Sequence, residues 1–187
     1  MLTRLLPDIE PREARQSLST IISVLQAENP AEPADSNAIS RGSGKTSSAA
    51  GAMTPVALFT DGASRGNPGL AGAGYVLIDD AGEEVETGYQ FLGQCTNNVA
   101  EYRALLLGLK AAAGKGCGNL AVFLDSELIV KQLKGEYRVK DEKLKPLYEA
   151  VKKSCSLVGR CRFSHVPRSR NQRADQLANR AIDERNS

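Results

Sequence analysis

Two short apolar runs, VALFTD at residues 56–61 and LAVFLD at 120–125, each close on an aspartate. Both read as buried strands. Buried strands that lie parallel and adjacent need helical crossovers, and they set their last residues side by side along one edge of the sheet. That edge is where ligands bind in open α/β sheets. Asp61 and Asp125 are therefore expected to meet there. A tight turn would explain the glycines in DGASRGNPG (61–69), but not a carboxylate at the end of an apolar strand.

The remaining pattern supports such a sheet. Strands are expected near 56–61, 71–79, 84–92, 120–125 and 160–166, with a turn at Asp79-Asp80-Ala81-Gly82. Helices are expected from about Asn98 to Ala113, from near Ser126, over 141–155, and from about Asn171 to Glu184. Three consecutive strands followed by alternating elements give a mixed sheet, antiparallel on one side and parallel on the other. This domain occupies residues 55–185.

Residues 1–28 carry two apolar sets at helical spacing, Leu2, Leu5, Leu6 and Ile9, then Leu18, Ile21, Ile22 and Leu25. Pro7 and Pro11 interrupt them, so a short helical N-terminal extension of two amphipathic helices is expected. Too small to be stable alone, it needs a covering surface: a second copy, another protein or the main domain. Residues 29–54 are rich in Pro, Ser, Ala and Gly and read as a flexible linker. Within them RGSGKTSS resembles a phosphate-binding loop, but Ile39 stands where that motif needs glycine, and no strand precedes it.

No run approaches the roughly 18 apolar residues that cross a bilayer, and no basic-then-apolar leader is visible. No membrane partner and a cytoplasmic location are expected. Cys95, Cys117, Cys155 and Cys161 form no close pair suited to zinc, and His165 is the only histidine, so reduced and mostly buried thiols are expected. Charge is uneven: Lys152 to Arg180 holds eight basic residues against one acid, Asp175. A polyanionic partner follows. Residues 1–53 hold five basic and six acidic residues, which does not suit nucleic acid.

Two further acids open helices, Glu101 after TNN and Asp175 in the last helix. Either alone could serve its helix dipole. Four acids converging would repel and raise one another's pKa values unless cations neutralise them. Mg²⁺ suits a site completed by phosphates and water, and a pair of such ions supports phosphodiester chemistry.

The segments DGASRGNPG (61–69), TNNVAEYRALLLGL (96–109), DSELIVKQL (125–133) and NQRADQLANRA (171–181) together resemble type 1 ribonuclease H. The resemblance spans about residues 55–185 and none of 1–53. It implies the ribonuclease H-like fold, with a five-stranded mixed sheet flanked by helices. It also implies a metal-binding catalytic set of Asp61, Glu101, Asp125 and Asp175 that holds two Mg²⁺ ions with substrate, Mn²⁺ being a substitute. The implied reaction is endonucleolytic cleavage of the RNA strand of an RNA/DNA hybrid, leaving 5′-phosphate and 3′-hydroxyl ends. Asn67, Asn97 and Asn98 match positions that touch the minor groove, and Thr96 matches a residue holding a DNA phosphate. Thr and Asn also cap helices well, so both roles stand for TNN. Gly62 is expected to let the nucleic-acid backbone come close.

Two departures stand out. Where many relatives carry a loop histidine, this chain has Arg168, which can hold a phosphate but not donate a proton; His165 lies three residues earlier. The connection KGEYRVK (134–140) is short where some relatives insert a basic helix, which predicts more salt-sensitive binding. Both features leave double-stranded RNA open as a further substrate. The competing reading is a duplex-binding module without catalysis.

Overall fold

The first strand does not stop at Asp61. The computed structural model describes residues 55–186; the expected helical extension (1–28) and linker (29–54) lie outside the described residues, apart from the linker's boundary with Pro55. β1 (Ala57–Gly66) turns through Asn67 and Pro68, joined by a cis peptide, into β2 (Gly69–Ile78). A loop was expected after Asp61. Instead, antiparallel pairing runs unbroken from Ala57↔Ile78 to Gly66↔Gly69. The facing residues are small, Gly62, Ala63 and Ser64 against Ala73, Gly72 and Ala71, so the arms stay in register and the turn moves outward.

β3 (Glu84–Cys95) pairs antiparallel with β2. Then follow α1 (Asn97–Gly114), β4 (Asn119–Leu124), α2 (Glu127–Leu133), α3 (Lys145–Val158), β5 (Arg160–His165) and α4 (Gln172–Asp183). The sheet order is β3-β2-β1-β4-β5, with β4 parallel to both β1 and β5. This is the expected mixed five-stranded sheet. α3 begins at Lys145 rather than 141 because Pro146 occupies its first turn, where a missing N–H costs nothing.

Glycines decide how closely the helices approach. On one face α1 brings Leu105 and Leu109 onto Leu58, Tyr75, Leu77 and Val122, all buried. Each large aliphatic side chain there contributes roughly 1.5–3 kcal/mol. A Cβ on Gly108 would sit 2.6 Å from Leu58, so a larger residue would lift the helix. Strand alternation turns Gly72 and Gly74 to the opposite face, where a Cβ would lie 2.2 Å from the Ala178 carbonyl and 2.5 Å from that of Ala174. α4 thus rests almost directly on β2 through its buried Ala174, Ala178 and Ala181.

Candidate active site

Strand register places the first two acids. β1 and β4 pair from Ala57↔Ala121 to Phe59↔Phe123, and the two phenylalanine rings stack at 4.6 Å. Carried two residues further, that register sets Asp61 opposite Asp125. Asp61 is buried within β1, at the point where pairing with β4 ends and pairing with β2 continues. Asp125 follows β4 by one residue and is half-buried.

The other two acids arrive on helices that glycines admit. Gly62, next to Asp61, faces the first turns of α1: a Cβ there would lie 2.2 Å from the Ala100 carbonyl carbon and the Glu101 nitrogen. The space that the missing side chain leaves is filled by the helix that carries Glu101. Gly74 pairs directly with Asp61 and admits α4, whose first turn holds Asp175.

Asn171 is a member that sequence reasoning left without a role. Fully buried at the N-cap of α4, it donates from Nδ2 to the Thr60 carbonyl at 3.0 Å, tying the helix to the residue before Asp61. Only its place in the quoted motif pointed to it. The amides of Asn67 and Asn97 are also used inside the protein. Asn97 Nδ2 donates to Glu101 Oε1 at 2.6 Å, and the Asn97 backbone N–H donates to Asn67 Oδ1 at 3.2 Å. Thr96 stands at the N-cap of α1, but its hydroxyl makes no capping bond; its carbonyl accepts from the Ala100 N–H at 3.0 Å.

The acids act on one another. Burial, then the charges of Asp125, Asp175 and Glu101, push Asp61 up to about 8, while Arg168 pulls against them. Burial foremost pushes Glu101 up to about 7; hydrogen bonds from Ser126 and Asn97 oppose it and the Asp125 charge adds to it. Buried Oε2 of Glu101 has no hydrogen-bond partner. Arg168 donates to Asp175 Oδ1 at 2.7 Å from a largely exposed position. His165 closes β5, exposed, where its charge acts on Glu127 rather than on Asp61.

Among the described residues no three acid, histidine or thiol side chains are close enough to form a ready-made metal cage. The donor set nevertheless suits a hard cation. An unpartnered buried carboxylate oxygen and a carboxyl held near pH 8 by burial and like charges are what a divalent ion would satisfy and discharge.

Asn98, half-buried, borders a cleft of about 540 Å³ lined also by Leu128, Gln132, Tyr137, Arg138 and Leu144. The short 134–140 connection therefore forms one wall of this cleft. The basic excess of 152–180 is partly neutralised: Arg168, Arg173 and Arg180 pair with Asp175, Glu84 and Glu184.

Residues 59–181 match a family model described as reverse transcriptase-like. A ribonuclease HI of Halobacterium salinarum is 41% identical over 126 residues, covering 67% of this chain and 63% of that protein. A bifunctional protein of Mycobacterium tuberculosis is 43% identical over 129 residues, 68% of this chain and 35% of its own. The chain thus spans about a third of that mycobacterial relative's length. Among solved structures, RNase H1 of H. salinarum aligns with a TM-score of 0.67 over 69% of this chain and 98% of that one, at 41% identity. LC11-RNase H1 in complex with RNA/DNA hybrid aligns with a TM-score of 0.67 at 40% identity, covering 70% of this chain and 99% of that one.

Proposed function

Because the chain belongs to the type 1 ribonuclease H family, we propose that it hydrolyses the RNA strand of RNA/DNA hybrids endonucleolytically, leaving 5′-phosphate and 3′-hydroxyl ends. The observation that carries this reading is the burial of Asp61 and its crowding by Asp125, Asp175 and Glu101, which together hold its carboxyl near pH 8. A structural carboxylate would gain nothing from such repulsion, whereas a site awaiting divalent cations is built from it.

Asp61, Glu101, Asp125 and Asp175 would hold two Mg²⁺ ions, or Mn²⁺ in their place. Bound ions of this kind supply activation of a water and stabilisation of the leaving oxygen. The protein's own contribution is placement. Stacked Phe59 and Phe123 hold the strands that present Asp61 and Asp125, Asn97 aims Glu101, and Asn171 anchors the helix bearing Asp175. Asn98 lines the cleft, and Asn67 is joined to Asn97 at the start of α1; amides of this kind suit the base edges and 2′-hydroxyls of a hybrid's minor groove. Thr96 and Arg168 would hold phosphates. Arg138 and Lys140 line the cleft beside Glu136 and Asp141, so few basic groups there are left for phosphates, and binding is expected to be weak and salt-sensitive.

A cytoplasmic setting suits the four free thiols; among the described residues no helix is long and apolar enough to cross a membrane. The deciding experiment compares cleavage of end-labelled RNA/DNA hybrid, double-stranded RNA and double-stranded DNA with Mg²⁺, Mn²⁺ or chelator, beside Asp61→Asn. Metal-dependent cutting of hybrid RNA that Asp61→Asn abolishes supports the reading, and the double-stranded RNA lane sets its breadth. Binding of hybrid with no cutting under either metal would leave a duplex-binding module instead.

A further inference from the structure

Cys155 and Cys161 face each other far from the acids. Cys155 lies on the inner stripe of α3 with buried Val151 and Val158. The helix ends at Gly159, whose N–H donates to the Cys155 carbonyl at 3.0 Å and whose φ of +112° reverses the chain into β5. Cys161 then pairs with Leu120, and Phe163 with Val122, in the register of β4 and β5. Leu120, Val122, Phe163, Cys155 and Cys161 all pack on one apolar cluster. Strand alternation therefore turns the Cys161 side chain toward the helix face that carries Cys155, and the two thiols interact. Both are half-buried. Cys117 is buried with its thiol on the Pro55 carbonyl at 2.9 Å, and Cys95 ends β3. Leu120, the partner of Cys161, precedes Asp125 by five residues, about 16 Å along a strand.

We propose that Cys155 and Cys161 form a site of reversible oxidation at which a low-molecular-weight disulfide closes an intramolecular disulfide between α3 and β5. The Cys155 thiolate attacks one sulfur of the small disulfide, forming a mixed disulfide and releasing one small thiolate. Cys161 gives up its proton and displaces the second small thiolate, forming the Cys155–Cys161 bond. Two cysteine thiols are oxidised, one small disulfide is reduced to two thiols, and the cysteine protons end on those thiols. The interaction between the two lowers the Cys155 thiol and raises that of Cys161, which favours Cys155 as the attacking sulfur and Cys161 as the resolving one. The enclosed loop runs only from residue 155 to 161, so closure constrains the unfolded chain less than a long-range bridge would.

The test treats the full chain with oxidised glutathione, quenches in acid, alkylates the remaining thiols and maps peptides by mass. The expected product is a Cys155–Cys161 cross-link two hydrogens lighter, formed at least tenfold faster than adducts at Cys95 or Cys117. Cys161→Ser should stall at a stable glutathione adduct on Cys155, whereas Cys155→Ser and Cys155→Ala should form no intramolecular cross-link at Cys161. Circular dichroism melting first establishes that each variant is folded. A wild-type protein that retains all its thiols, stalls as a glutathione adduct, or cross-links through Cys95 would overturn the proposal. So would an intramolecular cross-link to Cys161 in either Cys155 variant.

Discussion

Arg168 donates to Asp175 Oδ1 at 2.7 Å, and its positive charge opposes the three acids that crowd Asp61. The guanidinium is largely exposed, so solvent screens the effect and the pair adds little to stability. Its influence is expected on titration instead. Arg168→Ala should move the acid limb of the cleavage-rate profile to higher pH by a few tenths of a unit, and Arg168→Lys should move it less. A pH series of initial rates at saturating Mg²⁺ checks this. A limb that moves to lower pH would mean that Arg168 acts chiefly by competing with cations for Asp175.

Removing the Asp61 charge should stabilise the metal-free protein. The folded-state pKa of about 8 lies above that of an unfolded aspartate, so between roughly pH 4 and 8 the folded chain binds the extra proton. Stability from this group is full below the unfolded value and falls as pH rises through the folded one. Asp61→Asn, which cannot ionise, escapes that loss. In chelator at pH 8–9 its unfolding free energy should exceed wild type by on the order of a few kcal/mol, converging near pH 4. Denaturant melts at the two pH values measure it. The same variant should lose at least about a thousandfold in cleavage rate, since the lost stability was the cost of the site.

Cation binding should release protons. At pH 7 Asp61, near 8, is mostly protonated and Glu101, near 7, about half so. Oxygen ligation needs both ionised, so titration with Mg²⁺ should expel roughly one proton at pH 7 and almost none at pH 9.5. Calorimetry in two buffers of different ionisation enthalpy counts them. Equal heats in both buffers at pH 7 would mean that neither carboxyl takes part.

Much of this arrangement was legible in order of locality. The runs ending in Asp61 and Asp125 announced themselves because burial on both faces needs contiguous apolar residues, and parallel pairing then brings their ends together. The continuation of β1 to Gly66 was not legible, since Gly-Asn-Pro-Gly is turn chemistry and only the small residues across the hairpin keep the arms paired. Asn171 and Asn97 were harder still. Their acceptors, the Thr60 carbonyl and the Glu101 carboxylate, depend on tertiary placement and on a side-chain rotamer that no local pattern encodes. Gly62 signalled a close approach, but only the fold shows that α1 is packed against it.

Gly62→Ala tests that last point. The added methyl would lie 2.2 Å from the backbone of Ala100 and Glu101, too close for any side-chain rotation to relieve. α1 must shift, and with it Glu101, which Asn97 otherwise holds at 2.6 Å. Loss of stability of roughly 1–3 kcal/mol is expected from overpacking, with cleavage reduced at least about tenfold even in the folded fraction. Gly114→Ala is the control: it ends the same helix, a Cβ there meets nothing within 4 Å, and alanine should hold or raise stability by up to about 1 kcal/mol. Denaturant melts and hybrid cleavage at saturating substrate separate the two effects. A Gly62→Ala protein as stable and active as Gly114→Ala would show that α1 does not depend on this contact to set Glu101.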